Sequence, residues 1–483
     1  MIKRFLIITG FCLSVTAIAQ NTTLINQEIN KLKADSTLEH ASWGITVISA
    51  KTGNIIASHN SEQSLIPAST LKALTTGAAL DILGSNFKFL TRIAYSGEFD
   101  TKTGILNGDV YIIGGGDPSL GSKYFKGQGE ILNQWVDTLK GKGIKKITGS
   151  IIADGSIFEY NPTPPQWIWA DIGNYYGAGA SGLSYKDNTF TIRFNSGSTG
   201  TTTQISSTDP VIANLELKNN VIAKGTFDSA YVYGTPFNYQ YFCEGAIPPN
   251  KINFKVKAAM PDPALFCAQS FSEILQKSGI EINSKPTTIR LLEGKTSSVV
   301  KKELFVHQSP TLDKIVYWIN QKSVNLYAEH LLKYLGYSQK GNGSNHSGIG
   351  VLKEYCANNS ISTSGIYLYD GSGLARANVI NTAAQAEIMY RLSQQKEFKT
   401  FYNSLPLAGK TGSLKYMFKG TIAEGNLRAK SGSFTGVRAY TGYVTSKNGE
   451  LLCFSVIVNN YIGSARLIKK KLEGLLIAIA EIE

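Results

Sequence analysis

Apolar and polar positions follow three different rhythms along this chain. The first stretch opens with a helical spacing over 26–38. Two short runs rich in β-branched and apolar residues follow at 43–48 and 54–58, and Ala50-Lys51-Thr52-Gly53 between them predicts a turn, so the pair reads as two neighbouring strands. Next, Leu71, Leu74, Ala78, Ala79, Ile82 and Leu83 recur at helical spacing and predict a helix with one apolar face. From about Phe89 to Val300 short strands alternate with glycine-rich turns, at 104–116, 147–154, 189–195, 211–217 and 221–233. One helix stands out there, over 264–277, closed by Gly279. Helical period returns at 311–320, 325–335, 348–357 and 382–394. Strands at 426–431, 437–445 and 451–458 and a helix at 465–480 finish the chain. If the first and last strands pair, they form one antiparallel sheet with helices on its faces. The expected class is α/β, more narrowly α+β, with the β-rich middle inserted into that domain. The boundaries expected are 20–88 and 303–483 for the two parts of the outer domain and 89–302 for the insertion, read as two nested domains.

The first residues add a processing signal. Met1-Ile2-Lys3-Arg4 is basic, Phe5 to Ala19 is apolar, and Ala17-Ile18-Ala19 has the small-x-small form of a cleavage site. This predicts a secretory signal peptide over 1–19. The run is short for a membrane anchor and contains Gly10, Ser14 and Thr16. The mature chain is therefore expected outside the cytoplasm, periplasmic or cell-envelope associated, and soluble. Loss of the leader removes Cys12 and leaves Cys243, Cys267, Cys356 and Cys453, whose spacing fits no zinc site. A disulfide such as Cys243 to Cys267 is open to them, as are buried free thiols. The 483 residues, 42% hydrophobic, carry a net charge of +13. That charge suits contact with a membrane surface or anionic polymers, or solubility alone. It is spread along the chain, and no nucleic-acid motif accompanies it. No metal or cofactor pattern is found, and oligomeric state is left open.

Candidate chemistry starts at Ser69-Thr70-Leu71-Lys72. On a helix, positions three apart share a face, so the hydroxyl and the amine can meet. A serine needs a base to become a nucleophile, and lysine serves when burial or nearby positive charge lowers its pKa. The same spacing occurs at Ser85/Lys88, Ser298/Lys301 and Ser393/Lys396, but only Ser69 opens a strongly apolar helix, after Pro67-Ala68. The competing reading of Ser69 is a helix N-cap. Ser323-Val324-Asn325 supplies a second hydroxyl and an amide between two predicted helices; otherwise it is a loop and cap. Five segments fit Lys-Thr/Ser-Gly. Three read as turns or a helix end. Lys410-Thr411-Gly412 sits in a loop, whereas Lys430-Ser431-Gly432-Ser433 directly precedes the closing strands, and Lys430 is chosen over Lys410.

In this order the three motifs resemble those of penicillin-recognising serine enzymes. Gly114 to Leu120, Trp167 to Asp171 with Tyr176-Gly177-Ala178, Asp370 to Asn378 and Gly409 to Gly420 extend the likeness over nearly all of the mature chain. It is similar to the class C low-molecular-mass penicillin-binding proteins, the D-alanyl-D-alanine carboxypeptidase/endopeptidases. The resemblance implies a transpeptidase/β-lactamase-like domain, its antiparallel sheet flanked by helices and its chain interrupted by a large insertion. It implies cleavage of peptidoglycan stem peptides and crosslinks through a Ser69 acyl-enzyme, with β-lactams as covalent inhibitors. By position, Lys72 is the base, Ser323 a proton relay and Asn325 a substrate orienter. Lys430 depresses the pKa of Lys72 and, with Ser431, attracts the terminal carboxylate. Backbone N–H groups of Ser69 and Ser433, the latter held by the Gly432 strand, form the oxyanion hole. Asp171 and Arg376 contact the stem peptide, or else cap a turn and pair inside the Asp370 loop. Ser431 departs from the usual Thr but keeps the hydroxyl. No G-x-S-x-G elbow or H-E-x-x-H occurs to support a Ser-His-Asp or zinc peptidase. The alternative of another kind is a wall-binding or sensor protein that keeps the fold without turnover.

Overall fold

The computed structural model describes residues 24–292 and 300–483. The expected leader over 1–19, with Cys12, lies outside the described residues. The chain forms two compact units. One comprises the residues up to Ser85, Val316–Val324 and Ile349–Glu483; the other comprises Asn86–Ile315 and Asn325–Gly348.

The first unit is built on five strands: β1 (Ser42–Ser49), β2 (Ile55–His59), β3 (Arg428–Phe434), β4 (Val437–Thr445) and β5 (Leu451–Asn459). Their order is β3-β4-β5-β1-β2, every neighbouring pair antiparallel. The first and last strands pair as expected, with Ile45 opposite Val456. β1 and β5 are buried along almost their whole length, because helices cover both faces of the sheet. On one face Ile45, Val47, Phe454 and Val456 share a core with Ile468, Leu472, Leu475 and Ile479 of the helix Ala465–Ala480. Ser464 caps that helix, accepting from the Leu467 N–H at 3.2 Å.

The other face is polar where it meets the helix Thr382–Ser393. Thr46 Oγ1 lies 3.0 Å from Thr382 Oγ1, and Ser455 donates to Gln385 Oε1 at 2.8 Å. These buried hydroxyls are paired, as burial demands. The helix Lys72–Leu83 packs closely on this layer. A Cβ at Gly77 would sit 2.5 Å from Leu392 Cδ1.

Among the described residues, the second unit holds four small sheets of three to five strands. Its core gathers Trp135, Phe190, Phe194 and Phe271, all fully or almost fully buried. The helix Pro263–Lys277 begins with Asp262 as cap, accepting from Leu265 N–H at 3.0 Å, and with Pro263 in the first turn. A second helix, Ile131–Gly141, is present where only strands and turns were expected. The strand expected at 211–217 is instead Glu216–Ala223. Lys302–Gln308 pairs with Leu90–Tyr95 and belongs to this unit, as do residues 325–348. Cys243, Cys267, Cys356 and Cys453 are free and buried. Among the described residues, no helix is long and apolar enough to cross a membrane.

Candidate active site

Ser69 sits in a 3₁₀ turn, Ala68–Leu71, that runs directly into the helix Lys72–Leu83. A 3₁₀ turn has three residues per turn, so side chains three apart eclipse more closely than on an α-helix. Lys72 Nζ accordingly lies 3.0 Å from Ser69 Oγ and donates to the Ser372 carbonyl at 2.5 Å. Lys72 is fully buried and Ser69 partly exposed. No side chain caps the turn or the helix, so Ser69 is not the N-cap of the competing reading. Ala68 adopts φ +47°, a left-handed conformation that non-glycine residues avoid. Two neighbours hold it there. Thr70 Oγ1 donates to Pro67 O at 2.7 Å, and Gly373 fits so closely that a Cβ on it would lie 2.0 Å from Ala68 O.

The Ser372 carbonyl is presented by a loop folded around a buried carboxylate. Asp370 accepts from the N–H groups of Gly373 (2.8 Å) and Ala375 (2.6 Å) and from Asn378 Nδ2 (2.8 Å). Arg376 does not fold back into this loop; it is exposed, with its guanidinium 5.5 Å from the centre of the Phe434 ring at the end of β3.

β3 carries the second amine. Lys430 is fully buried, and its Nζ donates to Ser323 Oγ at 3.0 Å and to Ser431 O at 2.9 Å. Burial, and then the positive charge of Lys72, hold its pKa well below the ordinary lysine value. Gly432 brings the strand against the Ser69 turn. A Cβ there would lie 2.6 Å from Pro67 O and 2.9 Å from Ser69 N. Ser431 donates to Ser413 Oγ at 2.7 Å, and Ser433, opposite Arg438 in the ladder, is exposed. Lys410 lies at the surface with its Nζ 2.9 Å from Glu424 Oε1.

Ser323 follows the helix Leu312–Lys322 with φ +56°. Glycine usually fills such a helix-ending left-handed position. Here a hydroxyl stands in its place, facing Lys430. Asn320 anchors the same segment, donating to Thr76 Oγ1 (3.3 Å) and Ser404 Oγ (2.8 Å). Thr76 in turn donates to the Lys72 carbonyl at 2.6 Å. A short hydrogen-bonded chain thus ties the Ser323 segment to the Lys72 helix. Among the described residues, no group of His, Cys, Asp or Glu could hold a metal ion.

The remaining sequence candidates belong to the second unit. Asn325 opens the helix Asn325–Lys340, and its amide donates to Tyr176 O at 2.8 Å. The Tyr176 hydroxyl donates to Asp171 Oδ1 at 3.1 Å. Asp171 is buried in the short helix Trp169–Ile172. Burial, and then the Asp171 charge, raise the Tyr176 pKa. His330 is buried between Gly116 O and Ser184 Oγ, both at 2.8 Å. Its pKa is lowered to about 3 by desolvation, so it is a neutral structural ring.

A family model described as D-Ala-D-Ala carboxypeptidase 3 (S13) matches residues 25–477. The chain belongs to this family. It is 27% identical over 461 residues to a D-alanyl-D-alanine carboxypeptidase of an Actinomadura species, covering 92% of this chain and 82% of the relative. The crystal structure of penicillin-binding protein 4 from Haemophilus influenzae shares the fold, with TM-score 0.79, 23% identity and coverage of 93% and 98% of the two chains. The same protein complexed with a β-lactam gives TM-score 0.70 and 22% identity, over 93% of this chain and 97% of the other.

This member of the carboxypeptidase family brings together Ser69, Lys72, Ser323 and Lys430 within its first unit. Ser413 was missed by the sequence reading. It lies in Lys410-Thr411-Gly412-Ser413, the segment set aside as a loop, and the loop delivers its hydroxyl to Ser431. The signal was the likeness of Lys410-Thr411-Gly412-Ser413 to the nearby Lys430-Ser431-Gly432-Ser433. Asn320 and Thr76 were also missed, being polar residues inside apolar helices.

Proposed function

We propose that this D-Ala-D-Ala carboxypeptidase works through a Ser69 acyl-enzyme. Its substrates are peptidoglycan stem peptides ending in D-Ala-D-Ala and the crosslinks made from them. The observation that carries this reading is the 3.0 Å approach of Lys72 Nζ to Ser69 Oγ, with a second buried amine on the neighbouring strand. Ser69 Oγ attacks the carbonyl carbon of the scissile bond and passes its proton to the Lys72 amine, which acts as the base. The oxyanion is held by the N–H groups of Ser69 and Ser433; the bare Cα of Gly432, close to Ser69 N, supports this pairing. The C–N bond breaks as the proton reaches the leaving amine through Ser323. Lys430 lies at hydrogen-bond distance from that hydroxyl, and its lowered pKa suits it to exchange a proton there. Water then attacks the ester, and Ser69 is regenerated. A β-lactam follows the first half of this path and stops at the ester.

The Ser431–Ser413 hydroxyl pair beside Lys430 suits a substrate carboxylate. Asn325, Asp171 and Arg376 are assigned to the stem peptide on the strength of the family motifs. The expected leader over 1–19 supports export to the cell envelope, and the positive charge suits contact with anionic wall polymers there. Release of D-Ala from a soluble stem pentapeptide by wild type, and its loss in Ser69→Ala, tests the reading. A crosslinked dimer as second substrate reads the endopeptidase reaction. A wild-type protein that binds both and cleaves neither would instead be a wall-binding or sensor protein.

A further inference from the structure

Beyond the peptide-cleaving groups, the second unit carries an exposed aromatic surface that its own fold does not use. Three strands form a small sheet: Glu216–Ala223 and Gln240–Ile247 run parallel, and Tyr231–Tyr233 pairs antiparallel on the far side of the latter. Its inward face, with Val221, Val232, Tyr241 and Cys243, is packed into the core. Its outward face places Lys218 opposite Phe242 and Phe242 opposite Tyr233. Trp169, from the helix Trp169–Ile172, leans on the end of this row.

The arrangement is rigid and open at once. The rings of Tyr233 and Phe242 stack at 4.7 Å with a 7° tilt. Trp169 meets both nearly edge-on, at 5.8 and 5.9 Å, yet remains 59% exposed. Tyr231 is 44% exposed beside them. Further along the same face, Asn220, Ile222, Glu244 and the 72% exposed Phe227 line a shallow hollow of about 650 Å³. Exposed aromatic rings held by their neighbours are expensive to leave in water and cost little entropy to engage, the signature of a recognition surface.

The polar groups on this face narrow the partner. Lys218 and Lys224 are balanced by Glu216 and Glu244, with Gln240 and Asn220 between them. Nucleic acid would ask for one sign of charge. A neutral polymer of pyranose rings asks for aromatic faces under its C–H surfaces and for both donors and acceptors toward its hydroxyl and acetamido groups. A long, shallow, mixed-polarity strip suits that polymer better than a compact ligand. The strip also joins the motif residues: Trp169 shares its helix with Asp171, which accepts from Tyr176, whose carbonyl accepts from Asn325.

We infer that this sheet face binds the glycan strand that carries the stem peptides, with Trp169, Tyr231 and Phe242 as stacking platforms. The inference rests on the wall-peptidase reading and adds a second contact to it. The probe is peptidoglycan glycan from which all stem peptides have been removed, titrated against the full mature chain. Wild type binds it, and Trp169→Ala and Tyr231→Ala each weaken binding by about tenfold or more, a typical loss for an aromatic anchor. Trp169→Tyr keeps most of the affinity, which separates stacking from folding. Hydrolysis of a sugar-free pentapeptide is retained by Tyr231→Ala, while its cleavage of intact sacculi falls. The inference is overturned if wild type ignores the stripped glycan, if both alanine variants bind it undiminished, or if Tyr231→Ala loses the pentapeptide and the sacculus reactions equally. It is overturned too if the variants change only self-association in sedimentation. Because D-Ala release from the pentapeptide is read separately, failure here leaves the acyl-enzyme proposal standing on its own test.

Discussion

At Gly432 a single missing methyl group decides how close β3 comes to the nucleophile. A Cβ there would meet backbone on the Ser69 turn, Pro67 O at 2.6 Å, and backbone cannot rotate aside. Gly432→Ala is therefore expected to slow acylation by a β-lactam by about 100-fold, the usual penalty for a shift of order 1 Å in a reacting geometry. The thermal midpoint should move little by comparison; equal acylation rates would show that the approach has no catalytic role. Lys430 makes a different kind of demand. Its folded pKa lies below its unfolded value, so over that interval the unfolded chain holds the extra proton. Stability from this group is thus diminished at low pH and recovers as pH rises toward 10.5. Lys430→Met removes the penalty along with the activity. Urea unfolding at pH 7 and pH 10 should show the variant's advantage over wild type shrinking with pH; a constant difference would contradict the assignment. The sequence could offer these residues as candidates, but choosing between Lys410 and Lys430 took burial. One amine pairs with Glu424 at the surface and the other is enclosed with Lys72.

At the scale of elements, the sheet and its flanking helices were legible because their periodicities are clean. The edges of elements, where the chemistry sits, were not. Ser69 was expected on an α-helix, and the 3₁₀ turn that aligns it with Lys72 leaves no mark in apolar spacing. Ile131–Gly141 carries a plain helical stripe, Ile131, Leu132, Trp135, Val136 and Leu139, that flanking glycines disguised as one more turn-rich stretch. The end of Leu312–Lys322 is the most telling case. Ser323 occupies a conformation suited to glycine, which costs about 1 kcal/mol and is tolerated where the side chain is needed. Ser323→Gly relieves that strain but leaves the buried Lys430 amine one hydrogen bond short, so unfolding stability should change by no more than about 1 kcal/mol while kcat for the pentapeptide falls by about 100-fold or more, as loss of a proton relay does. Calorimetry and steady-state kinetics on one preparation read both. Lower stability with unchanged kcat would mean that the hydroxyl serves the fold instead.

For the molecule as a whole, the texture change after Phe89 marks the insertion because two cores with different architectures alternate along the chain. Texture alone did not reveal that Lys302–Gln308 and Asn325–Lys340 return to the inserted unit. That unit also holds two buried neutral histidines, His330 with its pKa lowered to about 3 and His307 to about 4, both by desolvation. Unfolding lets each take a proton at its ordinary value near 6.5, so stability falls as pH drops below that value. The slope is about 1.4 kcal/mol per pH unit for a fully buried ring. The urea midpoint should decrease between pH 7 and pH 5, and His307→Phe, which removes a ring nitrogen without a partner, should make the decrease smaller. A pH-independent midpoint would contradict the neutral assignment. The most direct test of the central claim is to treat the intact protein with a fluorescent penicillin, digest it and locate the adduct by mass. One adduct is expected, on Ser69, absent from Ser69→Ala and still present in Lys410→Ala; an adduct on any other serine, or none on a folded wild-type protein, would contradict the assignment of Ser69 as nucleophile.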